Sequence, residues 1–146
     1  MSYPAPKVRD HMSHDVHMAA PDQTIREAAS AMAKLGIGAL PVAQGDNLVG
    51  MVTDRDIVVR AVAEGWGPAT LVGDVMTREV KYCFDYEDLE LVARNMGDQQ
   101  VRRLPVLDQN KRVVGILSLG DVAAGAGALP AGDALAGVTR PGGQHS

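Results

Sequence analysis

Two short motifs in this chain place a hydroxyl three residues before a carboxylate, each at the end of an apolar run. In "TDRD" the pair is Thr53 and Asp56, and in "SLGD" it is Ser118 and Asp121. The spacing is typical of a helix start, where the two side chains satisfy free backbone N–H groups. The same groups suit a ligand, because a helix N-terminus attracts anions and a carboxylate can accept both hydroxyls of a ribose. The sequence is compatible with either role, or with both together.

Arginines near these motifs could supply the positive charge that a phosphate group requires. Arg55 lies inside the first motif, and Arg102 and Arg103 precede the apolar "LPV" of the second half. Planar guanidinium groups bind phosphate oxygens in pairs. The alternative is that Arg102 and Arg103 are solvated charges on an edge strand. The second motif has Leu119 and Gly120 beside its aspartate in place of charges. We therefore expect two sites of unequal affinity, of which one could be empty.

Other reactive side chains give weaker indications of chemistry. His11, His14 and His17 recur at every third residue, which is not the i, i+4 spacing of a helical zinc site, and we predict no metal. Cys83 falls where the pattern requires a buried apolar residue and is interpreted as core. No nucleophile–base pair or phosphate-binding glycine loop stands out, so we predict that the chain is not an enzyme.

The composition is that of a folded protein about one domain long. Of its 146 residues, 46% are apolar, 22% are charged and 3% are aromatic, which predicts an aliphatic core. The net charge of −4 argues against nucleic-acid or anionic-membrane partners. The single cysteine excludes an intrachain disulfide. No apolar run approaches the roughly 20 residues that cross a bilayer, and no signal peptide is evident. We expect a soluble cytoplasmic protein.

The chain contains the same pattern twice. Asp10 and Met12 recur as Asp74 and Met76, 64 residues later. The shift persists from "ALPV" to "RLPV" and becomes 65 after the next turn, which superimposes the two hydroxyl–carboxylate motifs. One half alone would bury only about 60% of its unfolded surface, so we expect the halves to pack on each other.

Each half is predicted to form β-α-β-β-α. The first strands are placed at residues 17–18 and 80–83, the hairpins at 39–43 with 48–52 and at 103–107 with 113–117, and the last helices start near Asp54 and Leu119. Thr24 with Glu27, and Asp88, are predicted to cap the first helix of each half. The apolar faces of these two helices are predicted to be Ile25, Ala28, Ala29, Met32 and Leu35, and Leu89, Val92, Ala93 and Met96.

The repeated set D-x-M-[ST], helix, L-P-V, turn and G-[IVLM]-[VL]-[ST]-x-x-D resembles a tandem pair of CBS domains, the Bateman module. The resemblance covers residues 7–125 and implies an α/β (α+β) fold in which two β-α-β-β-α repeats are related by a pseudo-twofold axis. It places the first repeat at 7–66 and the second at 67–125. The Gly/Ala/Pro-rich segment 126–146 is then a flexible tail or a docking segment.

The resemblance also implies a ligand. CBS pairs commonly bind adenosine derivatives, above all AMP, ADP or ATP, in the clefts between the repeats. No cofactor is predicted beyond this regulatory ligand, although magnesium would accompany ATP. By analogy with the family, the nucleotide-binding residues are Thr53, Asp56, Ser118, Asp121, Arg55, Arg102, Arg103, Val16, Met18, Ala39, Leu40, Val80, Tyr82 and Leu104. In this scheme Val16 and Met18 join Ala39 and Leu40 in one adenine slot, and Val80 and Tyr82 join Arg103 and Leu104 in the other.

Two functions are compatible with these features. The first is a nucleotide-sensing regulatory module that signals in trans to an unknown protein target. The alternative is a ligand-free dimeric scaffold, associated with stress, whose clefts are vestigial. The family implies a homodimer in both cases, and we place its interface on Ala28, Met32, Val92 and Met96.

Overall fold

A computed structural model describes residues 5–126, and its class is α+β, as the repeated pattern predicts. The predicted tail, residues 126–146, lies outside the described residues except for Ala126. The helices are α1 (Val8–His11), α2 (Ile25–Leu35), α3 (Asp54–Ile57), α4 (Val72–Val75), α5 (Leu89–Gln99) and α6 (Leu119–Ala126), and a π-helical turn at Val58–Val62 continues α3. The strands are β1 (Ala39–Gln44), β2 (Asn47–Thr53), β3 (Cys83–Phe84), β4 (Arg103–Leu107) and β5 (Val113–Ser118). No helix within residues 5–126 is long and apolar enough to cross a membrane.

The chain divides into two compact units. Unit A is His17–Val80, and unit B joins residues 5–16 to residues 81–126. Unit A contains the β1–β2 hairpin, and unit B contains a sheet with the order β3-β4-β5. These units do not coincide with the repeats predicted at 7–66 and 67–125, because each repeat gives its first segment to the unit that holds the other repeat. The repeat limits therefore describe the sequence pattern and stay a prediction.

Both hairpins form where the alternation of apolar residues predicts them. In unit A, β1 pairs antiparallel with β2, and Ala39 lies opposite Thr53. In unit B, β4 pairs antiparallel with β5, and Arg103 lies opposite Ser118. Each hairpin thus brings the start of its first strand beside the hydroxyl of a motif.

The predicted first strands are displaced toward the helices. Instead of a strand at residues 17–18, the structure has one parallel bridge between Ala19 and Val42. Instead of residues 80–83, it has β3 at Cys83–Phe84, parallel to β4. In both repeats the contact lies five residues before the helix cap. The exposed residues that precede it have no alternating pattern to fix their position.

In unit A, a methionine from the start of the second repeat covers a glycine of the first. A Cβ atom on Gly50 in β2 would lie 2.8 Å from the Met76 Sδ and 2.8 Å from the carbonyl oxygen of Thr77. Beside it, Met51 and Thr77 exchange backbone hydrogen bonds of 2.9 and 2.7 Å. Glycine is required at position 50 because the segment after α4 packs directly on the strand.

Unit B repeats this arrangement with the N-terminal segment. A Cβ atom on Gly115 in β5 would lie 2.5 Å from the Met12 Sδ and 2.9 Å from the carbonyl oxygen of Ser13. Ser13 and Ile116 form the matching antiparallel bridge. The D-x-M-[ST] element is therefore a packing segment that the two repeats exchange.

The apolar face of α2 is narrower than the sequence predicts. Ile25, Ala28 and Met32 are buried in unit A, as predicted. Ala29 is exposed and Leu35 is 37% exposed, so these two assignments are wrong. On α2 only the i, i+3, i+7 stripe reaches the core of unit A, so Ala29 and Leu35 lie beside that core and not within it.

The apolar face of α5 agrees with the prediction in full. Leu89, Val92, Ala93 and Met96 are all buried in the core of unit B. Asp88 stands at the N-cap of α5, but its side chain makes no capping bond and pairs instead with the Lys7 Nζ at 2.6 Å. The N-terminal segment is thus fastened to the start of α5.

Candidate functional site

The first motif forms the reciprocal capping box that its spacing predicts. Thr53 ends β2, and its Oγ1 accepts a hydrogen bond from the Asp56 backbone N–H at 3.0 Å. The Asp56 Oδ2 accepts in turn from the Thr53 N–H at 3.0 Å. The capping role is confirmed. The ligand role stays a prediction. It is compatible with the capping box, because both Asp56 oxygens keep lone pairs that can accept hydrogen bonds from a ligand.

Asp56 lies among donors from two segments of unit A. It is 9% exposed and is the only buried charged residue within residues 5–126. The Thr77 hydroxyl lies 3.5 Å from each carboxylate oxygen, and the Arg60 Nε lies 3.7 Å from Oδ1. The Arg60 Nη1 also donates to the carbonyl oxygens of Val75 and Met76 at 3.4 and 3.3 Å. The carboxylate therefore connects α3 to the exchanged segment.

The second motif forms the same box in unit B with a more open aspartate. The Asp121 Oδ2 accepts from the Ser118 N–H at 2.8 Å, and the Asp121 N–H donates to the Ser118 Oγ at 3.2 Å. Asp121 is half-buried, in contrast to Asp56. The two motifs thus form the same pair of hydrogen bonds, but Asp56 is more deeply buried than Asp121.

Two arginines lie at the motif end of the β4–β5 hairpin. The Leu119 N–H donates to the Arg102 carbonyl oxygen at 3.1 Å, and Arg103 pairs with Ser118 across the strands. Arg102 is exposed and Arg103 half-buried. This hairpin end therefore combines positive charge with the second motif, as a phosphate site would require.

Unit A has no matching basic pair at that end of its hairpin. The corresponding Asp54 N–H donates to the carbonyl oxygen of Gly38 at 2.9 Å. The Asp54 carboxylate covers Gly38, since its Oδ2 would lie 2.9 Å from a Cβ atom at that position. Arg55 is exposed beside it. The unequal charge that the sequence predicts is therefore present in the folded units.

Three residues of the predicted adenine slots are core residues. Leu40 and Leu104 are 2% exposed and Ala39 is 6% exposed. Their side chains pack in the cores of the two units and are not open to a ligand. Met18 and Tyr82 have exposed side chains, at 38% and 47%.

Two further residues of the predicted adenine slots, Val16 and Val80, do not lie in the same unit as the strand residues with which the prediction groups them. Val16 is half-buried at the limit of unit B, which contains Arg103, and Val80 is half-buried at the limit of unit A, which contains Ala39. The grouping of Val16 with Ala39, and of Val80 with Arg103, is therefore not found within either unit. The cause is the exchange of segments, which a repeat alignment does not show.

The aromatic side chains of "YCFDY" pack on one another. The Tyr82 and Phe84 rings meet edge to face with centroids 5.5 Å apart. The Phe84 and Tyr86 rings stack at 5.1 Å. The three rings thus pack on one another within unit B, and the place of Tyr82 in an adenine slot stays a prediction.

Cys83 is a core residue of unit B, as predicted. It is 3% exposed. Burial, followed by the negative charges of Glu87 and Asp85, raises the pKa of the thiol to about 12. A thiol in this state is a poor nucleophile and a poor metal ligand.

No group of three or more His, Cys, Asp or Glu side chains is arranged to hold a metal ion in the described part of the chain. His11 lies in α1 of unit B, and His14 and His17 follow it on exposed chain.

Sequence reasoning missed two residues near the first motif. The sequence pattern includes Thr77 only as the last position of D-x-M-[ST], and it does not single out Arg60. The signal for Thr77 was present, because Ser13 and Thr77 place a hydroxyl at the same position of both repeats. Arg60 has only its i, i+4 spacing from Asp56 as a signal.

Two surface grooves lie in unit A. A groove of about 570 Å³ opens beside Thr77 and is lined by Arg60, Gly73, Asp74, Met76, Thr77, Arg78 and Glu79. A larger groove of about 760 Å³ runs along α2, and neither groove is lined by Thr53 or Asp56; the smaller one is lined by Arg60 and Thr77, which lie beside Asp56. The chemistry therefore points to the smaller groove.

The predicted dimer interface is wrong in its residues. Ala28, Met32, Val92 and Met96 are between 0% and 6% exposed because they form the cores of the two units. The apolar residues that are exposed on the helical segment after β2 are Val58, Val59, Val62 and Trp66, at 57%, 46%, 62% and 48%.

Comparison with known proteins identifies the family to which these features belong. A family model for the CBS domain matches residues 8–62 and 72–125. The CBS domain-containing protein YhcV of Bacillus subtilis is 44% identical over 116 residues, covering 80% of this chain and 82% of that protein. Hypoxic response protein 1 of Mycobacterium tuberculosis is 37% identical over 117 residues, covering 79% of this chain and 81% of that protein.

Solved structures agree with this match. Hypoxic Response Protein I, with two coordinated zinc ions, superimposes with a TM-score of 0.73 at 35% identity, covering 82% of this chain and 98% of that one. CBSX2 in complex with AMP gives 0.71 at 28% identity, covering 82% and 95%. The CBS domain pair of MJ0100, in complex with 5'-methylthioadenosine and S-adenosylmethionine, gives 0.70 at 31% identity, covering 83% and 95%.

Proposed function

This chain belongs to the CBS-domain family, and we propose that it is a regulatory module that binds an adenosine nucleotide of the AMP, ADP or ATP class and signals in trans to another protein. The resemblance drawn from the repeated motifs is thereby confirmed, and the ligand is the proposal. The observation that carries it is the pair of capped aspartates, Asp56 and Asp121, at equivalent positions of the two repeats. Related CBS pairs have been solved with AMP, methylthioadenosine and S-adenosylmethionine.

The geometry of the motifs supports binding of a nucleoside diol. Each aspartate accepts one short hydrogen bond within its own capping box, and its oxygens can accept from two further donors. Adjacent hydroxyls of a ribose are such a pair. At the unit B motif, Arg102 and Arg103 add the positive charge that a phosphate needs.

Zinc has less support in this chain than adenosine ligands have. The solved Hypoxic Response Protein I holds two zinc ions. Within residues 5–126, however, no cluster of three metal-binding side chains is found. Zinc therefore enters the ligand panel as a comparison.

The experiment is thermal unfolding in the presence of AMP, ADP, ATP with and without Mg²⁺, S-adenosylmethionine or Zn²⁺. A ligand at 100 times its dissociation constant adds about 2.7 kcal/mol, which raises Tm by about 5–10 °C at this chain length. Asp56→Asn and Asp121→Asn keep an acceptor for the cap and should each lose part of the shift. Asp108→Asn is the matched control, because the Asp108 carboxylate likewise accepts from backbone N–H groups, those of Asn110 and Arg112, but lies in the β4–β5 turn. Shifts that survive both motif variants would refute the proposal.

The second candidate is the ligand-free dimeric scaffold, which the exposed apolar residues favour. Val58, Val59 and Val62 form an apolar surface that a partner would cover, and we propose a second copy of the chain in that place. Light scattering should then give a dimer that Val62→Asp dissociates, whereas Leu91→Asp, at an equally exposed position of α5, leaves it intact. A dimer without any ligand shift would favour the scaffold, and a monomeric wild type would exclude it.

A further inference from the structure

Asp56 requires a partner that Asp121 does not require. A carboxylate that is 9% exposed is expensive to keep charged unless a cation or several donors lie near it. Asp121, which is half-buried, keeps more contact with water. The two motifs therefore place different demands on their surroundings, although their capping bonds are the same.

Arg60 places a positive charge near Asp56 from within a π-helical turn. It lies four residues after Asp56, within the π-helical turn Val58–Val62, where the Ala63 N–H donates to the Val58 carbonyl oxygen five residues back. Its Nε lies 3.7 Å from the Asp56 Oδ1, and its Nη1 reaches the carbonyl oxygens of Val75 and Met76. One guanidinium thus fastens the end of α4 to the carboxylate.

The distances around Asp56 indicate that Arg60 balances the charge of the carboxylate but does not use up the oxygen lone pairs that could accept from a ligand. The short bond to Asp56 is the one from the Thr53 N–H, at 3.0 Å. Arg60 at 3.7 Å and the Thr77 hydroxyl at 3.5 Å are longer than ordinary hydrogen bonds. A ligand hydroxyl can therefore approach the carboxylate while Arg60 still balances its charge.

The second repeat supports this assignment by contrast. The shift of 65 residues places Gly125 at the position of Arg60, and α6 continues as an α-helix without a π-helical turn. Among the described residues, no ion pair is formed by Asp121. The arginine and the π-helical turn occur together in the unit where the aspartate is buried.

We propose that Arg60 is a positioning residue of the unit A site: it compensates the buried Asp56 and fixes the 75–77 segment, so that Asp56 and Thr77 together present oxygens to the diol of a bound nucleoside. This rests on the proposed function. Arg60 acts only on the unit A site, because the unit B site has no equivalent. The two sites of the chain are therefore tuned by different arginines, Arg60 in unit A and the pair Arg102 and Arg103 in unit B.

The test is calorimetric titration with AMP in an Asp121→Asn background, which leaves unit A as the site that is titrated. Arg60→Gln should weaken AMP binding at least tenfold, and Arg60→Lys, which keeps the charge, should restore part of the affinity. Arg94→Gln is the matched control, since Arg94 forms an i, i+4 ion pair with Glu90 on the surface of unit B. Hydrogen exchange of the Thr77 N–H, which donates to the Met51 carbonyl oxygen at 2.7 Å, should accelerate in Arg60→Gln and not in the control.

The outcomes separate the two proposals. If the Asp121→Asn protein binds AMP and Arg60→Gln binds it equally well, the role of Arg60 is refuted and the proposed function stands. If the wild type binds AMP but the Asp121→Asn background does not, unit A has no AMP site and Arg60 positions nothing for AMP. If the wild type binds none of the adenosine ligands, the proposed function fails, and Arg60 is left as a structural ion pair.

Discussion

Replacement of Gly50 by alanine tests the packing of the exchanged segment. The new Cβ atom would lie 2.8 Å from the Met76 Sδ and 2.8 Å from the Thr77 carbonyl oxygen. The methionine side chain can rotate away, but the carbonyl oxygen is backbone and is bonded to Met51. Overpacking of this kind costs typically about 1–3 kcal/mol. If the bridge opens, the two hydrogen bonds between Met51 and Thr77 are lost as well, at about 1 kcal/mol each.

We therefore expect Gly50→Ala to lower the free energy of unfolding by about 2–4 kcal/mol, which corresponds to a decrease in Tm of roughly 5–12 °C. Differential scanning calorimetry measures both quantities. The control is Gly67→Ala, because a Cβ atom there meets nothing within 4 Å. This control should be neutral or slightly stabilising, since alanine restricts the unfolded chain.

A second substitution separates the loss of stability caused by the contact with the Met76 side chain from the loss caused by the contact with the Thr77 backbone. Met76→Ala in the Gly50→Ala background removes the contact with sulfur but not the contact with the Thr77 carbonyl oxygen. After the loss of stability caused by Met76→Ala alone is subtracted, the double variant should show only the strain from the contact with the Thr77 carbonyl oxygen. If Gly50→Ala is as stable as Gly67→Ala, the close approach of the segment to β2 is refuted.

Three further predictions concern the cap, the thiol and the core. Thr53→Ala removes the bond to the Asp56 N–H and should destabilise the protein by about 1 kcal/mol in denaturant titrations, whereas Thr53→Ser should not; equal losses would contradict the cap. Because burial raises the pKa of Cys83 to about 12, above the 9.0 of an exposed thiol, the unfolded chain loses this proton first, so stability should fall as pH rises from 9 toward 12, and Cys83→Ala should flatten that fall. A thiol reagent that labels the native protein rapidly at pH 8 would contradict the buried position. Met96→Ala, at 0% exposure, should cost about 2–5 kcal/mol, and Leu91→Ala, at 51% exposure, should change stability by no more than about 0.5 kcal/mol.

Local features were predictable from the sequence because their causes are local. The capping boxes at Thr53 and Ser118 follow from a spacing of three residues, and the structure contains both. The strand limits of β4 agree residue by residue with the prediction, since its apolar run is bounded by Arg102 and Asp108. Both features depend on neighbours within a few residues along the chain.

Long-range features were not predictable in this way. Periodicity shows that Met32 and Met96 share a face with other apolar residues, but not whether that face meets a core or a second molecule. It likewise placed Ala29 on the buried face of α2, although the structure leaves it exposed. Val16 belongs to a unit whose other part starts 65 residues later, at Lys81, and no spacing rule along the chain contains that grouping.

The segment that closes unit B has a consequence for synthesis of the chain. Val8 and Met12 are buried in the core of unit B with Leu117, and Met12 covers Gly115, more than 100 residues later in the chain. At about 5–20 residues per second, the ribosome needs roughly 5–20 s to make the strand that receives them. Unit A can complete its own contacts once Val80 has emerged, because it borrows from the chain that follows directly. The two halves of this duplicated protein thus mature in a fixed order, and during the interval the segment that carries Val8 and Met12 lacks the strand on which it packs.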